Sequence, residues 1–378
     1  MNIGIFFTHD YSLKSWYETG TLDKELKIYR NLSKEYKVNF VFYTYGDSED
    51  IKILPNETGM KVFPIYDKFK RHNNKYVRLL FTFFLPFRIK KYTEDLDIIQ
   101  QHQLAGVWVS LIIKLLIKKP LYMRTGYDTY QFSLKENKPF LLILFYKFMT
   151  YCSLKYSDVY SVTSNSDIKF LEQNFKTKPK KLVLRPNWVD DNKTSTSDRF
   201  SYKILSVGRL EKQKNIIGAI KAFEKVQKKW SNLKYIIIGS GSEELKIKNY
   251  IKEKNLQKKI ILKGYINPQR ELKYSKILIL NSLYEGQPNI LLESINYNLP
   301  IISTKCLSGP DEILMNGKYG ELVPVDNYEA LSKKIDFVLK NYNRAITKSK
   351  KGIPSLSRFN LINQCKKYKS FLENVNYE

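Results

Sequence analysis

Short apolar runs alternate with longer segments of helical spacing along the whole chain. In the first half, Asn2–Thr8, Val38–Tyr45, Lys61–Ile65, Asp97–Gln101, Pro120–Arg124, Asp158–Thr163 and Lys181–Leu184 read as buried strands. Between them, segments such as Leu22–Lys34 and Ala105–Lys118 place apolar residues at helical intervals. Buried strands that alternate with amphipathic helices predict a mostly parallel, doubly wound α/β sheet. After Asn187 the period is lost in WVDDNKTSTSDRFS, a polar stretch that predicts a domain boundary. A new strand begins at Tyr202, and the alternation resumes with strands near Ile204, Ile236, Ile261, Ile277, Ile301 and Leu322. The last segment, Arg358–Val375, has helical spacing at Phe359, Ile362, Tyr368 and Leu372.

The two most apolar stretches, Leu104–Ile117 and Pro139–Leu154, are interrupted by Lys114 and Lys147. Both fall short of the roughly 18 to 20 uninterrupted apolar residues that a membrane span needs. The N-terminal MNIGIFFTHD has no basic region ahead of its apolar run and reads as a first strand, not a signal peptide. A chain of 378 residues favours two domains, each able to bury its own core. Its 64 Lys and Arg exceed 37 Asp and Glu, giving a net charge of +27 and a pI near 9.6. That surplus suits an anionic partner such as nucleic acid, an anionic bilayer face or a phosphorylated substrate. It is equally what a chain enriched in Lys, Asn, Ile and Tyr would carry with no partner at all. Three cysteines without paired spacing and three scattered histidines point to a reducing compartment and away from a disulfide or zinc framework.

Chemistry gathers in the second half. In SLYEGQPNILLE, Ser282–Glu293, Glu285 stands on a turn containing Gly and Pro, and Glu293 on the helix which that turn opens. A helix beginning near Pro288 points the N–H groups of Asn289, Ile290 and Leu291 out of its N-terminus, where anions are attracted. Alone, the two glutamates also read as a loop acid and a solvated helix acid. Upstream, the strand of Tyr202–Asn215 runs into Gly208-Arg209, with Lys214 following after a short polar loop. A strand-turn GSG follows at Gly239–Gly241, KGYI at Lys263–Ile266, and LPIISTKCLSGPDEILMNGKYGELVP at Leu299–Pro324. Gly208, Gly239 and Gly241 each follow a predicted strand directly, at the strand ends where an open α/β sheet binds its ligand and a glycine lets that ligand approach the backbone.

In this order, these segments resemble the carboxy-terminal half of the retaining GT-B glycosyltransferases of family 4. The resemblance implies two Rossmann-like domains facing across a cleft: residues 1–187 on the acceptor side, 202–352 binding a nucleotide sugar, and 353–378 a helix crossing back to the first domain. It implies that Arg209 and Lys214 clamp the donor diphosphate, that Glu285 holds hydroxyls of the transferred sugar and Glu293 the ribose, and that the loop of Gly264, Tyr265 and Ile266 meets the base. Gly20 stands near the family's double-glycine loop, here with Thr19 before it. His102 falls at the family's histidine-bearing strand end. Thr125 stands where many members carry a second histidine, with Arg124 and Asp128 as the neighbours able to compensate. Arg209, Lys214, Glu285 and His102 are thus the expected catalytic group. The chemistry agrees: negative charge grows on the departing diphosphate, and a guanidinium fork and a mobile ammonium stabilise it.

No cofactor and no metal are expected. Asp95-Leu96-Asp97 matches the metal-binding D-x-D of the other large transferase fold, but it precedes a strand, so a helix-to-strand connection is the better reading. The segment Lys68–Tyr92 reads either as a core-facing helix or as a membrane-surface element, with Phe81, Phe83, Phe84 and Phe87 embedded and Arg78, Arg88, Lys90 and Lys91 on lipid phosphates. A nucleic-acid stripe is disfavoured because no nucleic-acid fold motif accompanies it. The resemblance implies a cytoplasmic enzyme, peripheral on the inner face of the membrane. It would move a sugar with retention from a nucleotide sugar, expected to be a UDP-sugar, to a growing lipid-linked or surface glycan. The alternative is a non-catalytic nucleotide-sugar or nucleic-acid binding protein on the same fold.

Overall fold

The computed structural model describes residues 1–55, 57–177, 179, 181–190, 202–306 and 308–375; most of the polar stretch expected as a boundary, residues 191–201, lies outside them. The chain divides into two compact units, Met1–Pro186 together with the stretch from Gln364, and Asn187–Asn363. The first unit holds seven strands: β1 Asn2–Phe6, β2 Asn39–Thr44, β3 Met60–Pro64, β4 Ile98–His102, β5 Leu121–Arg124, β6 Val159–Val162 and β7 Lys181–Leu184. They form one parallel sheet in the order β3-β2-β1-β4-β5-β6-β7. The second unit holds β8 Lys203–Val207, β9 Lys234–Ile238, β10 Ile260–Leu262, β11 Ile277–Leu280, β12 Ile301–Thr304 and β13 Glu321–Val323, also parallel, in the order β10-β9-β8-β11-β12-β13. In each sheet the strand order reverses once, between β1 and β4 and between β8 and β11. Loops leave such a pair of neighbours in opposite directions and open a crevice at their carboxyl ends.

The two-residue period of the strands explains why both faces of each sheet are covered. In the second unit, Ile204, Tyr235, Ile237, Ile277 and Ile279 point into one core, while their neighbours Leu205, Ile236, Ile238, Leu278 and Leu280 point into the other. Helices fit this scheme through their own period. The helix Leu22–Tyr36 buries Leu22, Leu26, Tyr29 and Leu32 along one stripe and ends at Lys37 in the left-handed conformation.

Three expectations need correction. The last helix begins at Leu361, not Arg358, because Ile353–Phe359 winds as a 3-10 segment and Asn360 caps the helix, its Oδ1 accepting from the amides of Ile362 (2.7 Å) and Asn363 (3.2 Å). The buried stripe is therefore Leu361, Cys365, Tyr368 and Leu372, and Ile362 faces outward. Within Lys68–Tyr92, the helix Lys75–Ile89 turns Phe81 against the core, so that only Phe83, Phe84 and Phe87 of the four phenylalanines are exposed. Arg78 points inward too, gripping both carboxylate oxygens of Asp10 at 2.6–3.0 Å. The acid Asp97 accepts from the amide of Asn2 at 2.7 Å and so fixes the start of β1. No helix among the described residues is long and apolar enough to cross a membrane.

The first unit also receives the end of the chain. Arg185, directly after β7, is buried, with its guanidinium 3.6 Å from the centre of the Tyr368 ring and one nitrogen donating to the Tyr122 hydroxyl at 3.0 Å. The Tyr368 hydroxyl donates in turn to the Gln100 side chain in β4.

Candidate functional site

The reversal point of the second sheet brings together the residues that follow β8 and β11. Gly208 leaves β8 with φ +152° and Gly239 leaves β9 with φ +138°, both in the region that favours glycine. A Cβ on Gly239 would lie 1.9 Å from the Gly208 carbonyl oxygen, so only a glycine lets these two turns touch. A Cβ on Gly208 would lie 3.3 Å from Lys214 Cε, which places the lysine's stem directly over the turn. Backbone bonds tie neighbouring loops into one rim: the Gly239 amide donates to the Gly264 carbonyl at 2.8 Å and the Leu210 amide to the Ser240 carbonyl at 2.8 Å.

Lys214 closes a short 3-10 turn, Lys212–Lys214, and its ammonium donates to Glu285 Oε1 at 2.5 Å. The Ser282 hydroxyl donates to the same oxygen at 2.5 Å. Glu285 is buried, and its Oε2 has no partner among the described residues, so one lone-pair face remains to accept a ligand hydroxyl. The pair is held in register from both sides. The Leu283 amide donates to the Gln213 carbonyl at 2.8 Å, Gln213 Nε2 to the Tyr284 carbonyl at 2.7 Å, and Asn281 Nδ2 to the Asn215 carbonyl at 2.9 Å. Thr304, at the end of β12, donates to the Ser282 carbonyl at 2.6 Å. Sequence reasoning missed Gln213 and Ser282. Ser282 stands three residues before Glu285 in the same loop, a spacing that could have suggested it.

Arg209 differs from Lys214. It is exposed, and its guanidinium makes no hydrogen bond or ion pair with the described residues. Next to it, Glu211 accepts from the Ser242 hydroxyl and amide, and these bonds, with a smaller contribution from the Arg209 charge, hold its carboxyl below the usual range. A guanidinium without a partner among the described residues, on the same loop as the lysine of an ion pair with an open oxygen, is an arrangement suited to an anionic, hydroxylated ligand.

The helix expected near Pro288 is Asn289–Asn296, and no side chain caps it. One expectation fails here: the Leu291 amide donates to the Pro288 carbonyl at 3.1 Å, so of the three amides only those of Asn289 and Ile290 stay open toward an anion. Glu293 lies one turn in, half-buried. Its charge acts on Tyr265 and Tyr297, whose hydroxyls are pushed up first by burial and then by this carboxylate. Tyr265 and Ile266 are exposed on the turn after β10, beside Gly264 at φ +63°. Gly309, at φ +81°, would place a Cβ 2.0 Å from the Gly286 carbonyl, so the downstream glycine is required for the Glu285 loop to pack.

The remaining residues lie in the first unit. His102, the last residue of β4, is buried, with Nε2 2.6 Å from the Tyr29 hydroxyl and 2.9 Å from Gln100 Nε2. Burial first, and then Arg124 and Arg185, hold its pKa well below the ordinary histidine value, so the ring is neutral. Gly20, at φ +60°, follows a short helix, Leu13–Glu18; it is exposed, and its amide donates to the Tyr17 carbonyl at 2.9 Å. The Thr125 hydroxyl turns to the Ser161 carbonyl at 3.2 Å, and Arg124 pairs with Glu25 at 3.5 Å. Asp128 caps the helix Thr129–Lys135 by accepting from the Gln131 amide at 2.6 Å. At the reversal point of this sheet, His9 follows β1, and its Nε2 is enclosed without a hydrogen-bond partner among the described residues. It went unnoticed in the sequence, although its position after a strand was the same signal that singled out His102.

Residues 190–352 match the family model described as Glycosyl transferases group 1. The chain is 34% identical over 187 residues to an uncharacterized glycosyltransferase of Methanocaldococcus jannaschii, a match covering 46% of this chain and 45% of the relative. It is 30% identical over 194 residues to the N-acetylgalactosamine-N,N'-diacetylbacillosaminyl-diphospho-undecaprenol 4-alpha-N-acetylgalactosaminyltransferase of Campylobacter jejuni, covering 49% of this chain and 52% of the relative. The matched region thus spans about half the length of these curated relatives. Among solved structures, sucrose-phosphate synthase from Thermosynechococcus elongatus superposes with a TM-score of 0.83 at 15% identity, covering 99% of both chains. Anabaena HepE in complex with UDP and glucose superposes at 0.79 and 15% identity, covering 99% of this chain and 100% of the other. The fold is GT-B, two Rossmann-like α/β domains, and the match to the glycosyl transferases group 1 model falls on the second unit.

Proposed function

We propose that this protein is a retaining, metal-independent glycosyltransferase of family 4 that moves a sugar from a UDP-sugar to a growing lipid-linked or surface glycan at the cytoplasmic face of a membrane. The observation that carries the reading is the group at the second reversal point: unpartnered Arg209, the Lys214–Glu285 pair with Oε2 open, and the open amides of Asn289 and Ile290. In this reading Arg209, Lys214 and the two amides stabilise the charge that grows on the leaving diphosphate. Glu285 Oε2 accepts a hydroxyl of the transferred sugar, Glu293 holds the ribose, and Tyr265 and Ile266 lie against the base. Support for a UDP donor comes from the UDP held by the HepE structure, and for a lipid-linked acceptor from the diphospho-undecaprenol in the name of the Campylobacter relative. The alpha linkage in that name supports retention, since an alpha product from an alpha nucleotide sugar keeps the configuration.

Arg209→Ala is the clean test, because the Arg209 guanidinium is bonded to no described residue. Lys214→Ala would also leave the buried Glu285 without its cation. Turnover of Arg209→Ala should fall about 100-fold or more. Its melting temperature without ligand should match that of the parent. UDP at about 100 times its dissociation constant should stabilise the parent by about 2.7 kcal/mol. An Arg209→Ala enzyme with near-parental turnover, or a parent that UDP does not stabilise, would remove the donor-site assignment. Turnover should also persist in excess chelator. Strict dependence on Mg²⁺ or Mn²⁺ would return attention to Asp95 and Asp97.

A further inference from the structure

We propose that the outer face of the helices Lys75–Ile89 and Phe140–Tyr156 is the surface by which this protein rests on an anionic lipid bilayer. The proposal extends the functional reading to the place where a lipid-linked acceptor would be met, and it does not depend on the donor chemistry.

Both helices belong to the first unit and lie on the same side of its sheet. Trp108, in the first turn of the helix Val107–Ile117, stacks on Phe83 of one at 5.2 Å and meets Phe145 of the other at 5.9 Å. Their inner residues, among them Phe81, Leu85, Phe145 and Met149, share one core. Their outer residues repeat one spacing. Tyr76, Leu80, Phe84 and Phe87 stand at i, i+4, i+8 and i+11 of the first helix, each at least 62% exposed. Phe140, Leu144, Phe148 and Tyr151 stand at the same intervals on the second, with exposures from 37% to 71%. Leu115 of the helix Val107–Ile117, which carries Trp108, is 71% exposed as well. Two apolar stripes on helices packed against one core are far more than the scattered apolar residues of an ordinary surface.

Charge selects the occupant. None of the three helices contains an acidic residue, while Lys75, Arg88, Lys147 and Lys155 are exposed on the outer two and Lys90 and Lys91 follow directly. A second copy of the chain would bring two such cationic faces together, which repels. An anionic leaflet offers hydrocarbon to the stripes and phosphates to the flanking cations. The helices, 15 and 17 residues long, are too short to span, so they lie along the surface.

The test is co-sedimentation of the full chain with vesicles of zwitterionic lipid and with vesicles of about one-third anionic lipid, across a salt series. The parent should partition about 10-fold or more in favour of the anionic vesicles, and less so as salt rises. Phe84→Ser combined with Phe148→Ser should lower partition about 10-fold, most visibly at high salt, where the apolar part carries binding. Both rings are already exposed and lie outside the second unit's candidate site, so stabilisation by UDP should be unchanged in the double variant. Equal binding to both vesicle types, absent binding, or an unaffected double variant would each overturn the proposal. So would a parent that is dimeric and a double variant that is monomeric, with neither binding vesicles. A parent that binds vesicles but is not stabilised by UDP would leave this surface standing and remove the donor reading.

Discussion

Glu285 and Asp128 are both buried carboxylates, and their surroundings give them different partners. Glu285 receives an ammonium and a hydroxyl on one oxygen, which leaves the other to accept a ligand hydroxyl. Asp128 has no cation bonded to it among the described residues. Burial pushes its pKa up to about 7, the nearby Asp167 adds to the rise, and the Gln131 amide opposes it. A raised folded-state pKa contributes stability that is fully present below the unfolded value of about 4 and lost as pH rises through the folded value. The fold should therefore lose stability between about pH 4 and pH 7 through this group. Asp128→Asn keeps an oxygen for the Gln131 amide and removes the titration, so its gain in melting temperature should be larger at pH 8 than at pH 5. Equal gains at both pH values would mean that Asp128 does not titrate in this window. The difference between the two acids was only half legible. The segment Ser282–Glu293 with its two glutamates singles out Glu285, whereas Asp128 enters only as a neighbour of Thr125, because its closeness to Asp167 joins residues 39 positions apart. Thr125 could be recognised as a departure from the family, yet its bond to Ser161 depends on the pairing of β5 with β6.

At the scale of elements, the final helix is held by a buried cation that has no carboxylate bonded to it. Arg185 lies over the Tyr368 ring and donates to Tyr122, both of which also raise its pKa, and its charge is set against aromatic faces in a desolvated place. Cation–π contacts of this kind reach about 2 kcal/mol when desolvated. In a cycle of Arg185→Met, Tyr368→Leu and the double variant, denaturant unfolding should show a coupling of about 1–2 kcal/mol. Effects that add within about 0.5 kcal/mol would show that the helix is held by apolar burial alone. Helical spacing made this element visible in the sequence, but not its start. Phe359 and Ile362 fit the period, and only the folded backbone shows that Asn360 breaks it and rotates Ile362 outward. The strands were the most legible elements, since β-branched and aromatic runs bounded by turns have few other readings.

For the whole molecule, a net charge of +27 has a consequence independent of any site. Repulsion among like charges destabilises the compact state, and added salt screens it, the Debye length falling from about 30 Å at 0.01 M to about 8 Å at 0.15 M. The melting temperature should therefore rise between these salt concentrations, measured in sodium chloride by thermal unfolding; a flat or falling curve would mean that ion pairs such as Lys225–Glu329 and Lys340–Asp336 offset the repulsion. Composition and period by themselves determined this charge, the alternation of strand and helix, the doubly wound class, and the segments that resemble a nucleotide-sugar site, because each is a property of neighbours along the chain. Only the tertiary structure decided which groups in those segments are left for a ligand. It committed Arg78 to Asp10 and the Leu291 amide to Pro288, left Arg209 and Glu285 Oε2 open, and ranged two distant helices into one apolar, acid-free face. The reason is physical: whether a charge or an amide is spent or available depends on what packs beside it, and in this fold those partners come from strands and helices far apart in the sequence.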